Sequence, residues 1–232
     1  MRLNVTVPVY NEEKKLVENI LQLQHFLVEK FLIGEFSIII AENGSTDKTP
    51  HIAKRLAEDN QHIIFFSTKK KGRGGALRES WERYPADIVG YMDADLSTDI
   101  KILPSMLVSL EHDSDITIGS RLKTGSRVTR SIKRELFSRS YNIFLKHILG
   151  TSISDAQCGF KFLRGEIASK LLKKIKNEEW FFDTEMLILA ERSGVRIKEF
   201  PVEWKERVES TVNIPRYIAE NIRGVFRLWK MS

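Results

Sequence analysis

Apolar, β-branched runs alternate with longer amphipathic stretches through the first half of the chain. Residues 3–8 read as a strand and residues 12–31 as a helix, with Leu16, Ile20, Leu23 and Leu27 on one stripe. Residues 36–41 (FSIIIA) form a buried strand. Asn43, Gly44, Ser45, Thr46 and Asp47 then give turn and capping chemistry ahead of a helix to about Asp59. Residues 63–67 are a strand, followed by a basic, Gly-rich loop and a helix through Arg83. Residues 87–92 make the fourth strand, 100–111 a helix and 115–119 a fifth strand. Strand alternating with helix predicts an α/β fold: a mostly parallel, Rossmann-like sheet with helices on both faces.

After Arg121 the pattern changes. Residues 130–149 predict a basic amphipathic helix, 156–163 a further short strand, 183–193 a helix and 197–202 an extended segment. Pro215 starts a last helix with Ile218, Ile222, Val225, Phe226 and Trp229 along one side. The whole, residues 1–232, reads as one domain. The change of pattern divides it near Ser120 into residues 1–120 and 121–232.

A hydrophobic fraction of 42% is enough for a real core. One cysteine, Cys158, cannot form an internal disulfide, which favours a reducing compartment. No leader pattern opens the chain and no apolar run approaches the ~20 residues that span a bilayer. The protein is therefore expected to be soluble or peripheral, not integral. The net charge of +6 is uneven. Residues 121–150 hold eight Lys/Arg against one Glu and residues 207–230 five against two acids, leaving the remainder acidic. A basic excess confined to two segments points to an anionic partner, whether nucleic acid, phospholipid or phosphorylated substrate.

Ligands of an open parallel sheet gather at the carboxyl ends of its strands. Here those ends carry Pro8 to Glu12, Glu42 to Ser45, Lys69 to Gly75, Asp93-Ala94-Asp95 and Ser120-Arg121. Carboxylates, glycines and cations thus fall at one edge, as a phosphorylated ligand with a divalent cation would require. Asp93 and Asp95, two apart in extended geometry, would point the same way and converge on one ion. Oxygen-only ligation suits Mg²⁺ or Mn²⁺. The plainer reading has Asp93 close the strand and Asp95 cap the next helix. Glu42 ends a buried strand and needs donors, which a base imide or ribose hydroxyls would supply.

Gly72-Arg73-Gly74-Gly75 is not a dinucleotide fingerprint, because Leu77 stands where its third glycine belongs. The loop instead lets backbone approach a ligand, with Lys69 to Lys71 solvated. Ser45 and Asp47 read as caps, Cys158 as a packed residue, and Trp180 and Trp204 equally as core or sugar-stacking side chains.

Taken in order, Pro8-Val9-Tyr10-Asn11-Glu12-Glu13, Glu42-Asn43-Gly44-Ser45-Thr46-Asp47, Lys71-Gly72-Arg73-Gly74-Gly75-Ala76, Asp93-Ala94-Asp95 and Gly119-Ser120-Arg121 resemble the family 2 glycosyltransferases of GT-A fold. Asp155-Ala156-Gln157-Cys158-Gly159-Phe160-Lys161, Trp180-Phe181-Phe182-Asp183-Thr184-Glu185 and Pro201-Val202-Glu203-Trp204 resemble its polyprenyl-phosphate branch, most closely the type that glucosylates dolichyl phosphate. Glu42 and Asn43 replace the first two residues of the family's usual Asp-Asp-Gly-Ser turn.

The resemblance implies a metal-dependent, inverting hexosyl transfer from a nucleotide sugar, with UDP-glucose the preferred donor, to a polyprenyl phosphate. Pro8, Tyr10, Asn11, Glu12, Glu42, Gly72 and Asp93 would bind the nucleotide, and Asp93 and Asp95 the metal. Asp95, Arg121 and Asp183 would be catalytic, Asp183 as a base, while Arg134 and Ser138, one helical turn apart, would take the acceptor phosphate. The basic helix would lie on a membrane; the last helix would do the same or form a homodimer. Three alternatives stand beside this reading: a glycan hydroxyl acceptor, a GDP-mannose-dependent dolichyl-phosphate mannose synthase, and a non-catalytic nucleic-acid-binding module. The aspartate pair argues against the last, so no nucleic-acid partner is expected.

Overall fold

A computed structural model describes residues 1–31, 35–68, 71–206 and 214–231, save the side chain of Ile214. Strands β1 (Leu3–Val9), β2 (Phe36–Glu42), β3 (Ile63–Ser67), β4 (Ile88–Met92) and β5 (Ile116–Ser120) alternate with helices α1 (Leu16–Lys30), α2 (Thr49–Asp59), α3 (Arg73–Arg83) and α4 (Leu103–His112). The second half adds β6 (Arg127–Thr129), α5 (Ile132–Leu149), β7 (Phe160–Arg164), α6 (Gly165–Leu172), α7 (Phe182–Arg192), β8 (Ile197–Pro201), β9 (Glu203–Lys205) and α8 (Ile214–Trp229). The seven-stranded sheet runs β3-β2-β1-β4-β7-β5-β8, and β6 and β9 form a separate ribbon. Every pairing in the large sheet is parallel except those of β7, which runs antiparallel to both β4 and β5.

Alternating side chains serve the two faces. Ile88 and Met92 of β4 join the cluster that holds Leu16, Ile20, Leu23 and Leu27 of α1, as the sequence pattern predicts. Val89 and Tyr91 join the opposite cluster, with Leu77, Phe182 and Leu187 from the helices there. Gly90 between them is forced by packing: a Cβ would lie 2.1 Å from the Phe162 ring. Burial of these large side chains contributes roughly 1.5–3 kcal/mol each.

Chain order reverses between β1 and β4, since β2 and β3 lie to one side of β1 and β4 to the other. Such a switch point opens a crevice at the strands' carboxyl ends. Pro8 lies beyond the β1–β4 ladder, which ends at Thr6, so its missing N–H leaves no gap there.

Several expectations need adjustment. The helix expected over 100–111 begins as a single 3₁₀ turn, Ile100–Ile102, and becomes α4 with Pro104 in its first turn. Helix α6 and the β6–β9 ribbon were not expected. The stripe of α8 also divides: Val225 is buried, whereas Ile218, Ile222, Phe226 and Trp229 are exposed.

Candidate active site

The aspartate pair does not sit on an extended strand. β4 ends at Met92, and the Leu96 N–H donates to the Asp93 carbonyl at 3.1 Å, closing a turn with Leu96 at φ 51°. The carboxylates therefore lie together because of a turn, not because of the alternation assumed from the sequence. Their proximity shows in the Asp93 carboxyl. Burial pushes its pKa up, Arg73 opposes this, and the Asp95 charge adds to the rise. The turn is fixed from both sides: Asn19 of α1 donates to the Ala94 carbonyl at 2.9 Å, and the Asp93 N–H donates to the Gly159 carbonyl at 3.1 Å.

A carboxylate at a core edge demands a cation, and for Asp93 that cation is Arg73. Its guanidinium donates to Asp93 Oδ1 and to Asp183 Oδ2, both at 2.6 Å. Burial disfavours the charged guanidinium, but the two carboxylates outweigh this and raise its pKa. Arg73 also lies 4.8 Å from the Tyr91 ring centroid and 5.4 Å from that of Trp180. Sequence reasoning passed over this residue. The available signal was electrostatic: a cation in the first turn of a helix opposes the macrodipole and needs an acidic partner.

Asp183 is nearly inaccessible. It accepts a short hydrogen bond from the Tyr91 hydroxyl and lies 3.5 Å from the fully buried Lys161 ammonium, besides meeting Arg73. Two cations and two carboxylates thus balance at the end of β4. Asp95 is different. Its carboxylate accepts from the Ser97 N–H at 2.9 Å and from the Ser97 hydroxyl, and has no cationic partner among the described residues.

Arg121 forks onto Asp155, with Nε to Oδ2 at 2.8 Å and Nη2 to Oδ1 at 2.9 Å, beside the Trp204 ring. Burial would raise the Asp155 pKa, but Arg121 outweighs it and takes it down to about 2. A depressed carboxyl stabilises the fold above its unfolded pKa and loses that contribution as pH falls through its folded value. Urea titrations should therefore show about 2 kcal/mol from this group vanishing between roughly pH 4 and pH 2, and Asp155→Asn should lack that step. Burial, reinforced by the Asp155 charge, pushes the Cys158 thiol up to about 12, as expected of an inert packed cysteine.

At the end of β2, Glu42 finds its donors within the protein. The Ser45 N–H and the Ser67 hydroxyl both donate to it, so no nucleotide is needed to explain its burial. Asn11, at φ 56°, accepts from the Thr46 N–H at 2.8 Å and donates its own N–H to Ser45 Oγ at 3.0 Å. Glu12 donates its N–H to Thr49 Oγ1 at 2.8 Å, and Asp47 caps Thr49 at 2.9 Å. Tyr10 lies under the Lys71 ammonium, 3.7 Å from its ring centroid. Lys71 is thus exposed but placed; Lys69 and Lys70 lie outside the described residues.

The glycines of the α3 loop also have a structural reason. A Cβ at Gly72 would meet the Glu178 carbonyl at 2.5 Å, and one at Gly74 would meet Phe182 at 2.5 Å. They let α3 pack against the segment that delivers Asp183. Gly159 matters more directly, because a Cβ there would lie 1.9 Å from Asp93 Oδ2. Gly159→Ala should therefore displace the Asp93 carboxylate. Turnover should fall at least ~10-fold while the melting temperature drops by only about 2–4 °C, the shift for ~1 kcal/mol in a domain this size.

The residues expected for the acceptor phosphate are less open than their sequence positions imply. Arg134 is half-exposed and pairs with Glu206 at 2.5 Å, and the Ser138 hydroxyl is buried with no hydrogen-bond partner among the described residues.

The model of Glycosyl transferase family 2 matches residues 4–172, which is most of the sheet and both aspartates. The chain belongs to this family. It is 35% identical over 99% of its length to glycosyltransferase AglD of Haloferax volcanii, of which it spans 37%. It is 29% identical to the dolichyl-phosphate beta-glucosyltransferases of Saccharomyces cerevisiae and Homo sapiens, covering 88% and 92% of this chain and 67% and 70% of theirs. Among solved structures it resembles glucosyl-3-phosphoglycerate synthase of Mycobacterium tuberculosis in complex with Mn²⁺, uridine diphosphate and phosphoglyceric acid. That match has a TM-score of 0.70 and 18% identity, over 98% of this chain and 78% of that one. At such identity the likeness establishes the fold, the GT-A arrangement expected from the sequence.

Proposed function

We propose that this glycosyltransferase moves a hexosyl group, glucose from UDP-glucose, to the phosphate of a polyprenyl phosphate of the dolichyl type at a membrane surface. The observation that carries this reading is a row of aromatic side chains leading away from the charged site. Arg73 lies against Trp180, Trp180 meets Tyr217 at 6.3 Å, and Tyr217 meets Phe137 of α5 at 6.4 Å. Beyond Phe137, α5 exposes Ile132, Leu136 and Ile143, and α8, packed against it, exposes Ile218, Ile222, Phe226 and Trp229. Apolar side chains bordered by Lys and Arg on two adjoining helices suit the interface of an anionic bilayer. No helix among the described residues is long and apolar enough to cross a membrane. The names of the yeast and human relatives support the same acceptor. A cytosolic-facing peripheral location fits this arrangement.

The donor set at the switch point fits Mg²⁺ or Mn²⁺. Asp93 Oδ2 and the unneutralised Asp95 offer carboxylate oxygen only, and no group of three or more His, Cys, Asp or Glu forms a cage among the described residues. Asp93 and Asp95 would hold such an ion, for which two carboxylates are a common protein contribution. When bound, the ion supplies Lewis-acid stabilisation of the charge on the departing diphosphate.

The remaining roles fall to the chain itself. Pro8, Tyr10, Asn11, Glu12, Glu42 and Gly72 frame the base and ribose, with Glu42 and Asn11 acting through the turn they hold. Arg121 and Arg73 supply cations for the anionic ligands at this edge, and Arg134, exposed on α5, takes the acceptor phosphate; the buried Ser138 hydroxyl is not assigned to it. An oxygen of that phosphate attacks the anomeric carbon; the bond from that carbon to the diphosphate breaks, and nucleoside diphosphate leaves. A phosphate monoester with its second pKa near ~6 is already anionic, so it needs no base. This favours it over a glycan hydroxyl, because Asp183 is occupied by Arg73, Tyr91 and Lys161. The reading is tested by incubating protein, radiolabelled UDP-glucose and Mn²⁺ with polyprenyl phosphate in anionic vesicles. Label should enter the organic phase in an acid-labile form; label appearing only on added glycans would refute a lipid acceptor.

A further inference from the structure

Strand β7 is the antiparallel member of the sheet, and its register places Lys161 directly opposite Tyr91 of β4. Both side chains are fully buried, and Lys161 donates to the Tyr91 hydroxyl at 3.0 Å and to the Cys158 carbonyl. Tyr91 in turn donates to Asp183 Oδ1, and Asp183 Oδ2 receives Arg73, whose other arm reaches Asp93. The bonds form one unbroken line from the centre of the sheet to the switch-point crevice. Burial pushes the Tyr91 phenol well above its ordinary pKa, so it remains a donor. An isolated lysine at this depth would be costly, and a core needs none for packing.

We propose that Lys161 and Tyr91 are positioning residues for the transfer reaction, holding Asp183 so that it in turn fixes the Arg73 guanidinium beside Asp93. This rests on the glycosyl-transfer reading above. Lys161 supplies a counter-charge 3.5 Å from Asp183 Oδ1, and Tyr91 sets the orientation of that carboxylate. Asp183 then acts as the anchor of a cation at the donor site and not as a base. The groups so fixed are those that face charge developing on the leaving diphosphate, so loosening them costs kcat more than donor KM.

The experiment is a double-mutant cycle with Tyr91→Phe, which removes one hydroxyl and keeps the ring, and Asp183→Asn. Steady-state kinetics use UDP-glucose, Mn²⁺ and polyprenyl phosphate. Tyr91→Phe should lower kcat at least ~10-fold, with donor KM within about twofold of wild type. In the Asp183→Asn background the same change should cost less than about twofold further, because its route of action is already gone. Lys161→Met should follow the Tyr91→Phe pattern, and if it fails to fold the cycle stands without it. Wild-type-like kcat in Tyr91→Phe, or losses that simply multiply in the double variant, would overturn the inference while wild-type turnover upholds the transfer reading. Absence of turnover in wild type itself would overturn both.

Discussion

Asp95→Asn should lower kcat by at least ~10³-fold, equivalent to about 4 kcal/mol of transition-state stabilisation, with the fold intact. The fold survives because the carboxyl's visible bonds are local, to the Ser97 N–H and hydroxyl, and a carboxamide oxygen still accepts from the former. Activity fails because the carboxylate with no cationic partner among the described residues is the one best placed to complete a divalent-ion site with Asp93. Circular dichroism and thermal melting check the fold, and transfer assays across a Mn²⁺ titration check the role. Substantial activity in the folded variant would remove Asp95 from the metal site.

The second large effect is on stability as well as turnover. Arg73→Met leaves Asp183, nearly inaccessible, without its closest cation and frees Asp93 as well. Breaking a buried pair by deleting one partner costs about 3–5 kcal/mol, because the surviving charge stays desolvated. For a domain of this size that corresponds to a melting-temperature loss of roughly 10 °C. Adding Asp183→Asn to Arg73→Met should recover part of the loss, since the stranded charge is then removed. If Arg73→Met melts with wild type, the bridge contributes little to stability.

Much of the frame was legible because periodicity and turn chemistry are local. The five early strands, their helices and the gathering of Tyr10, Glu42, Asp93 and Arg121 at one edge all follow from run lengths and strand ends. Strand direction is not local. Nothing in Phe160-Lys161-Phe162-Leu163 says that β7 runs backwards between β4 and β5, so neither the Lys161–Tyr91 pair nor its link to Asp183 could be read. Lys161 resembles the outward member of an alternating strand, yet the sheet is covered on both faces and the lysine is buried. Arg73 escaped for a related reason: its partners come from residues 20 and 110 positions away. The glycines of the α3 loop were visible, but their close neighbours, Glu178 and Phe182, were not. Glu42 shows the converse: its burial was read as needing a ligand's donors, whereas Ser45 and Ser67 already supply them.

The most direct test of the central claim is release of nucleoside diphosphate from a panel of UDP- and GDP-sugars, with and without Mn²⁺ and with and without polyprenyl phosphate. Release from UDP-glucose that requires both the metal and the lipid is the result this account predicts. Release that ignores the lipid, or that comes from a GDP-sugar alone, would contradict it.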